Sequence, residues 1–212
     1  LKLDKLFARL KDDIRPVLVV GIHAAERLKE YGVGGMPDYK GRGELAGDYT
    51  LFIEKELLPW LEARFPISKY PEHRAFAGFS LGGLSAFDIV WNRPDLFSIC
   101  GVFSGSFWWR DKALDDGYTD ANRIAHQLVR MGKYRPGIRF WFQAGTEDER
   151  CDRNNNGVID AIDDTLDLIT ELIMKGYKLK TDVHYHEVIG GKHDIQTWAK
   201  AFPVFVKWAF KK

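Results

Sequence analysis

The sequence of 212 residues lacks several features that define specialised classes of protein. Its two cysteines, Cys100 and Cys151, are too few for a fold built on disulfides. It has no excess of one charge: 31 Lys and Arg against 30 Asp and Glu give +1, which argues against a protein that binds nucleic acid by neutralising phosphates. Apolar runs such as 16–22 are far too short to span a membrane. No signal peptide, internal repeat or low-complexity tract is visible.

Hydrophobic residues make up 45% of the chain and charged residues 29%, which suits one globular domain with a large core. Strand patterns alternate with helix patterns. Predicted strands cover 16–22, 73–79, 97–103, 138–144 and 180–189, and predicted helices cover 3–14, 48–65, 82–91, 122–131, 160–175 and 197–210. Glycine-rich 31–47 is predicted to be a long loop, and Pro59 predicts a kink in its helix. This alternation predicts a single α/β domain over 1–212, with a mostly parallel sheet and helices on both faces.

A G-x-S-x-G motif, Gly-Phe-Ser-Leu-Gly at 78–82, joins a predicted strand to a predicted helix. In a nucleophile elbow the serine occupies a strained turn between these two elements, and the glycines let neighbouring backbone approach closely. Ser80 is therefore the predicted nucleophile. The free N–H groups at the start of the next helix would stabilise an oxyanion. The alternative is a glycine-rich turn with an N-capping serine.

A serine nucleophile requires a histidine as base and an acid that orients the histidine. In α/β-hydrolases both follow the serine in the chain, at the ends of later strands. His193 directly follows the last predicted strand, and the other histidines lie within elements or ahead of the nucleophile. The preceding strand ends in GTEDE, so Glu147, Asp148 and Glu149 are all candidates for the acid.

Four segments, GFSLGG, VFSGSFWW, GTEDE and GGKHDIQTW, together resemble the putative esterase family. This family contains the enterochelin esterase, esterase D and feruloyl esterase relatives within the α/β-hydrolase superfamily. The resemblance extends over nearly the whole chain and implies an α/β-hydrolase fold. It also implies a serine carboxylesterase that hydrolyses an ester of a carbohydrate, a phenolic acid or a siderophore through an acyl-enzyme. An acyltransferase on the same scaffold and a non-catalytic ligand-binding protein with this fold are the alternatives.

The same resemblance assigns roles to individual residues. Ser80 would be the nucleophile, His193 the base and Asp148 the acid, and the backbone N–H of Leu81 would be one oxyanion donor. In the family an earlier strand and its loop supply a second donor. The first predicted strand here, 16–22, matches the strand after that one, so the chain is predicted to lack its N-terminal strands.

Two segments are candidate walls of a substrate pocket. Trp108 and Trp109 follow the strand 97–103, where their rings would stack on an aryl or sugar group or simply cover the sheet. After the strand 16–22, Arg27 would hold an anionic or catechol-type group and His23 would hydrogen-bond to it. The alternative for Arg27 is an ion pair with Glu30 on one helical turn.

The segment 152–163, DRNNNGVIDAID, matches the pattern of an EF-hand calcium loop and most resembles the loops of dockerin repeats. The predicted oxygen ligands are the side chains of Asp152, Asn154, Asn156, Asp160 and Asp163 and the carbonyl of Val158. Asp at the last position in place of Glu weakens bidentate binding and would admit Mg²⁺. The alternative is a capped Asn/Gly turn. A calcium loop slightly favours a periplasmic or secreted protein, and no organic cofactor is indicated.

Overall fold

The computed structural model describes residues 2–212. Four parallel strands form one sheet in chain order, β1 (Ala75–Phe79), β2 (Ile99–Phe103), β3 (Arg139–Glu147) and β4 (Val183–Lys192). The helices are α1 (Leu3–Leu10), α2 (Arg27–Glu30), α3 (Ala46–Phe52), α4 (Leu58–Glu62), α5 (Leu81–Asn92), α6 (Ile124–Met131), α7 (Asp160–Lys175) and α8 (Ile195–Phe210). Among the described helices, none is long and apolar enough to cross a membrane.

The alternating side chains of the strands divide the core into two layers. On β2, Cys100 and Val102 face one layer, which also contains the buried residues of α5, α6 and α7. Ile99 and Phe103 face the other layer, against α1 and α8. Residues two apart on a strand point to the same face, so a continuous apolar strand such as β2 requires helices on both sides. The predicted α/β arrangement is confirmed.

The segment 16–22 differs from its prediction. It pairs with none of the described strands, and Leu18, Val19 and Val20 remain partly exposed. Backbone pairing of Ile14 with Lys211 ties the start of this segment to the end of α8. The segment and β1 line a common cleft of 840 Å³. The β-branched run therefore has the composition of a strand without the neighbour that a strand requires, and the prediction of a strand here is wrong.

The predicted helix over 48–65 is continuous from α3 to α4, with a π-helical turn at Ile53–Leu57 between them. Pro59 lies in the first turn of α4. Proline has no N–H to donate and its ring collides with the preceding turn of an α-helix. A π-helical turn, which widens the helix locally, lies directly before this turn. The kink at Pro59 itself stays a prediction.

The glycine-rich loop over 31–47 is fastened to α5, the helix that follows the G-x-S-x-G motif. The N–H of Gly32 donates to Ser85 Oγ at 2.9 Å, and the N–H of Gly34 donates to Asp88 Oδ2 at 3.0 Å. Asn92 also donates to Asp88, at 2.8 Å. Burial raises the pKa of the Asp88 carboxyl to about 6, and these two hydrogen bonds oppose the rise.

This pKa predicts how stability depends on pH. The folded state binds the Asp88 proton more tightly than the unfolded state. The protonated carboxyl therefore contributes fully to the free energy of unfolding below pH 4, and this contribution is lost as pH rises through about 6. The rise of the pKa from 3.8 to about 6 corresponds to about 3 kcal/mol at most. Asp88→Asn has no charge to bury and retains an oxygen for the Gly34 N–H. Urea unfolding should therefore show the variant gaining stability relative to the wild type between pH 4 and pH 8. A difference that does not change with pH would contradict the prediction.

Candidate active site

The carboxyl ends of the four parallel strands lie along one edge of the sheet and bring four polar residues into one region. Ser80 follows β1, Ser104 follows β2, Asp148 follows β3 and His193 follows β4. Ligands of open α/β sheets bind at this edge. Three of the four are the predicted nucleophile, acid and base.

Ser80 has the strained backbone of a nucleophile elbow, with φ 57° and ψ −124°. Gly78 explains why glycine is needed beside it: a Cβ there would lie 2.0 Å from the carbonyl oxygen of Gly82. The N–H of Ser80 donates to the carbonyl of Phe103 at 2.9 Å, which fixes the turn to the end of β2. Strain of this kind costs about 1–3 kcal/mol and is found mainly at functional sites.

The Ser80 hydroxyl accepts a hydrogen bond from Arg27 Nη2 at 3.3 Å. Within residues 2–212 it makes no hydrogen bond to His193. Catalytic hydrogen bonds are often long without substrate and tighten in the complex, so the Ser80–His193 contact stays a prediction. The N–H of Leu81 begins α5 and is likewise unbonded within the described chain, which leaves it available to an oxyanion.

Asp148 is the strand-end carboxylate that lies beside His193. Its side chain is completely buried, with Oδ1 3.9 Å from His193 Nδ1. Oδ2 accepts from the N–H of Gly145 at 3.0 Å. Burial raises the pKa of the carboxyl, while the bonds from Gly145 and Ser104 and the charge of His193 act in the opposite direction. Glu147 is instead exposed, 3.9 Å from Lys192, so the geometry favours Asp148 as the acid.

His193 is held at the start of α8, and 42% of its side chain is exposed. The next residue, Asp194, caps this helix by accepting from the N–H of Thr197 at 2.8 Å. The His193 ring meets the Trp198 ring edge-on, with 5.3 Å between centroids. The imidazole is thus supported by Trp198 on one side and partly exposed elsewhere.

Ser104 is a site residue for which sequence reasoning gave no specific role. It is buried, has a left-handed backbone with φ 47°, and donates from its hydroxyl to Asp148 Oδ1 at 3.1 Å. The only sequence signal was its place at a strand end in VFSGSF. The φ angle and the partner could not be read from that segment.

Arg27 and His23 lie together in a hollow of 610 Å³ lined by 21–25, Arg27 and Tyr31. His23 is exposed, and its Nδ1 lies 2.8 Å from the carbonyl of Ala24. The alternative pair of Arg27 with Glu30 does not form, because Glu30 accepts the N–H groups of Ala25 and Glu26. The Arg27 guanidinium is instead directed at Ser80.

The two tryptophans after β2 have different surroundings. Trp109 is completely buried against Gly32 and Gly43, and its Nε1 donates to the carbonyl of Met36 at 3.2 Å. A ring enclosed in this way cannot stack on a ligand, so the prediction of Trp109 as a substrate contact is wrong. Trp108 is half-buried, with the Arg42 guanidinium 5.1 Å from its ring centre, and its role in substrate binding stays a prediction.

Comparison with known proteins decides the family. The family model described as "Putative esterase" matches residues 2–209. The chain belongs to the putative esterase family. The predicted family is confirmed.

Relatives and solved structures agree with this family. The chain is 27% identical to the iron(III) enterobactin esterase of Escherichia coli O6:H1, over 71% of this chain and 33% of that protein. The enterochelin esterase of Shigella flexneri shares the fold with a TM-score of 0.66 at 21% identity, covering 89% of this chain and 40% of that one. A CE1 ferulic acid esterase from Anaeromyces mucronatus gives a TM-score of 0.54 at 20% identity, over 83% and 59%. The α/β-hydrolase fold is confirmed. The chain spans half or less of the length of the curated relatives it matches.

In this member of the putative esterase family, the loop 152–163 begins four residues after Asp148 and partly fits the predicted cation site. Asp163 Oδ2 accepts from the side-chain amides of Asn154 and Asn156, at 2.8 and 3.0 Å. Asp152 accepts from the N–H groups of Asn156 and Gly157, at 3.1 and 2.9 Å. Two carboxylates and two amides therefore line one small turn, which is a donor set of hard oxygens suited to Ca²⁺.

Asp160 does not face these groups, because it accepts from the backbone and side chain of Arg153, at 2.8 and 3.1 Å. Arg153 also bonds to the buried carboxylate of Asp164, which is contacted as well by Arg123, the residue before α6. Among the described residues no three His, Cys, Asp or Glu side chains are placed to share one metal ion. Direct coordination by Asp160 is therefore not prepared in this conformation, and Arg153 anchors the loop without a metal.

Proposed function

We propose that this chain carries the catalytic residues of a serine esterase, with Ser80 as nucleophile, His193 as base and Asp148 as acid. The observation that carries the proposal is the strained elbow of Ser80 on the same sheet edge as the Asp148–His193 pair. A strained serine, a buried carboxylate and a half-exposed imidazole on adjacent strand ends are the parts that acyl transfer requires.

The reaction proceeds in two halves. His193 Nε2 takes the Ser80 proton as Oγ attacks the ester carbonyl, and the Leu81 N–H donates to the oxyanion that forms. His193 then gives the proton to the leaving alcohol, which leaves an acyl group on Ser80. Water attacks this acyl-enzyme with His193 again as base, and the acid product leaves as Ser80 recovers its proton. Asp148, facing Nδ1, stabilises the imidazolium in both halves.

The substrate we propose is a small ester with an anionic or phenolic group near the scissile bond. Arg27 lies 3.3 Å from the nucleophile and forms the wall of the hollow with His23. A guanidinium binds carboxylate or phenolate oxygens through charge-assisted hydrogen bonds. One relative is named iron(III) enterobactin esterase, and one solved structure with a similar fold is named a ferulic acid esterase. Both names support an ester of this class as the substrate.

The test is turnover of p-nitrophenyl acyl esters and feruloyl esters by the purified protein. We expect release of p-nitrophenol and of ferulate, and a rise in KM for the feruloyl ester in Arg27→Gln. Release of ferulate only when a sugar acceptor is present would indicate an acyltransferase. Binding of the ester without any product would indicate a ligand-binding protein and would contradict the proposed hydrolysis.

We also propose that the loop 152–163 binds one Ca²⁺ through Asp152, Asn154, Asn156, Asp163 and the carbonyl of Val158, with Asp160 reaching the ion through water. The proximity of Asn154 and Asn156 to the Asp163 carboxylate supports this set, although their amide nitrogens and not their oxygens face Asp163 in this conformation. The ion would neutralise the negative charges of Asp152 and Asp163, whose described partners are uncharged N–H and amide groups. The predicted export of the protein depends on this site and stays a prediction.

Calcium is expected to stabilise the folded protein by mass action, by about 2.7 kcal/mol at a hundredfold excess over Kd. The measurement is a thermal melt in chelator and in millimolar calcium. Asp163→Asn keeps an oxygen for the turn but removes its charge, so it should lose the calcium shift. Asp115→Asn, an exposed carboxylate outside the loop, is the matched control and should keep it. An equal melting temperature of the wild type with and without calcium would contradict calcium binding, and the loop would then be only a capped Asn/Gly turn.

A further inference from the structure

Ser104, the residue after β2, has a strained backbone conformation. Its φ of 47° lies in the left-handed region, and it is only 3% exposed. Such a conformation persists only where the surrounding structure determines it. Ser80, at the end of the neighbouring strand β1, also has a positive φ, of 57°. The two strained serines therefore lie side by side at the edge of the sheet where the site is formed.

The hydrogen bonds of the Ser104 hydroxyl have a fixed direction. Trp198 Nε1 lies 2.9 Å from Ser104 Oγ, and an indole nitrogen can only donate. The hydroxyl therefore accepts from Trp198 and uses its own proton to donate to Asp148 Oδ1 at 3.1 Å. This is the same oxygen that lies 3.9 Å from His193 Nδ1. Together with the Gly145 N–H on Oδ2, the Ser104 hydroxyl fixes the rotation of the carboxylate.

The Trp198 ring contacts the other two parts of the site. Its centroid lies 5.1 Å from that of Phe79, the residue before the nucleophile, and 5.3 Å from that of His193. One indole thus touches the nucleophile strand and the base and, through Ser104, is connected to the acid. Aromatic contacts of this kind have a defined geometry.

We infer that Ser104 and Trp198 are a pair of positioning residues that aim the Asp148 carboxylate and the His193 ring at Ser80. This rests on the proposed ester hydrolysis. Neither side chain needs to touch substrate. The pair acts through Asp148. Replacing either residue should therefore lower kcat and not raise KM, and the loss should require the Asp148 carboxylate.

The test compares two conservative variants with two matched controls. Ser104→Ala removes the hydroxyl, and Trp198→Phe keeps an aromatic ring but removes the N–H. Each is expected to lower kcat about tenfold, with KM changed less than about twofold, since the interaction serves the transition state. Ser98→Ala, a buried serine before the other end of β2, and Trp208→Phe, farther along α8, should leave kcat unchanged. Thermal melts of all four variants establish that they are folded.

A double-mutant cycle separates positioning from a general loss of structure. In the Asp148→Asn background, Ser104→Ala should cost nothing further, because the group through which it acts has been altered. An undiminished kcat in both Ser104→Ala and Trp198→Phe, or the same tenfold loss with Asp148 already replaced, would overturn the inference. If Ser104→Ala fails to fold, Trp198→Phe alone decides. A wild type that a fluorophosphonate does not label at Ser80 overturns the proposed function and this inference together, whereas a labelled wild type confines any failure to the pair.

Discussion

Ser80→Ala is expected to lower kcat for ester hydrolysis by about 10⁶-fold, as loss of the nucleophile does in serine hydrolases of other folds. No other described side chain offers a hydroxyl in the strained elbow beside the free N–H of Leu81. The measurement is p-nitrophenyl ester turnover by the purified variant.

Folding should not change in this variant, because alanine keeps the Cβ and the backbone bond from Ser80 to Phe103. Ser98→Ala is the matched control, a buried serine at the opposite edge of the sheet, and should retain full activity. Wild-type turnover in Ser80→Ala would place the nucleophile elsewhere.

Asp148→Asn is expected to lower kcat by about 10⁴-fold with little effect on folding. The amide is nearly isosteric and its single oxygen can still accept from Gly145. The position that accepts from Ser104 becomes an NH2 group, and the amide has no charge to stabilise the imidazolium of His193. It can also present an N–H to Nδ1, which selects the wrong tautomer of the histidine. Steady-state kinetics of the folded variant give the effect.

The neighbouring glutamates provide the controls for this assignment. Glu147 is exposed and lies beside Lys192. Glu149 is half-buried, burial raises the pKa of its carboxyl, and it forms no ion pair with His193 among the described residues. Glu147→Gln and Glu149→Gln should each keep kcat within about twofold, because neither glutamate contacts Ser80, His193 or Asp148 through a hydrogen bond. If one of them lost activity while Asp148→Asn kept it, the role of acid would move to that glutamate.

The elements with strong local patterns could be predicted from the sequence. The helix over 160–175 coincides with α7, and β1 to β4 lie within about three residues of their predicted bounds. Ser80 could be placed on a strand-to-helix turn because a G-x-S-x-G motif joined two clear patterns. These features are determined by neighbours along the chain.

Features that depend on distant partners could not be predicted. The segment 16–22 has the residues of a strand, but pairing depends on what lies beside it. The position of Trp109 after a strand predicts a pocket residue, but Gly32 and Gly43, which are distant in the chain, enclose its ring. The contact of Arg27 with Ser80 joins positions 53 residues apart, and the bond of Ser104 to Asp148 joins positions 44 apart. No local pattern records either.

The same limit applies to the cation loop. The spacing of its oxygen-bearing residues was visible in the sequence, and the turn brings four of them together. The ion pair of Asp160 with Arg153 could not be predicted, because it depends on the buried carboxylate of Asp164 in α7 and on Arg123, the residue before α6. A motif specifies which ligands are available, and the packing around it determines which of them are free.

The central claim is that Ser80 is an activated nucleophile, and labelling with a fluorophosphonate tests it most directly. These reagents phosphonylate a serine only where a base removes its proton and an oxyanion site receives the charge. Mass spectrometry of the digested protein should show one phosphonyl adduct, on the peptide that contains Ser80, and none after His193→Ala. An unlabelled protein, or an adduct on another serine, would contradict the account.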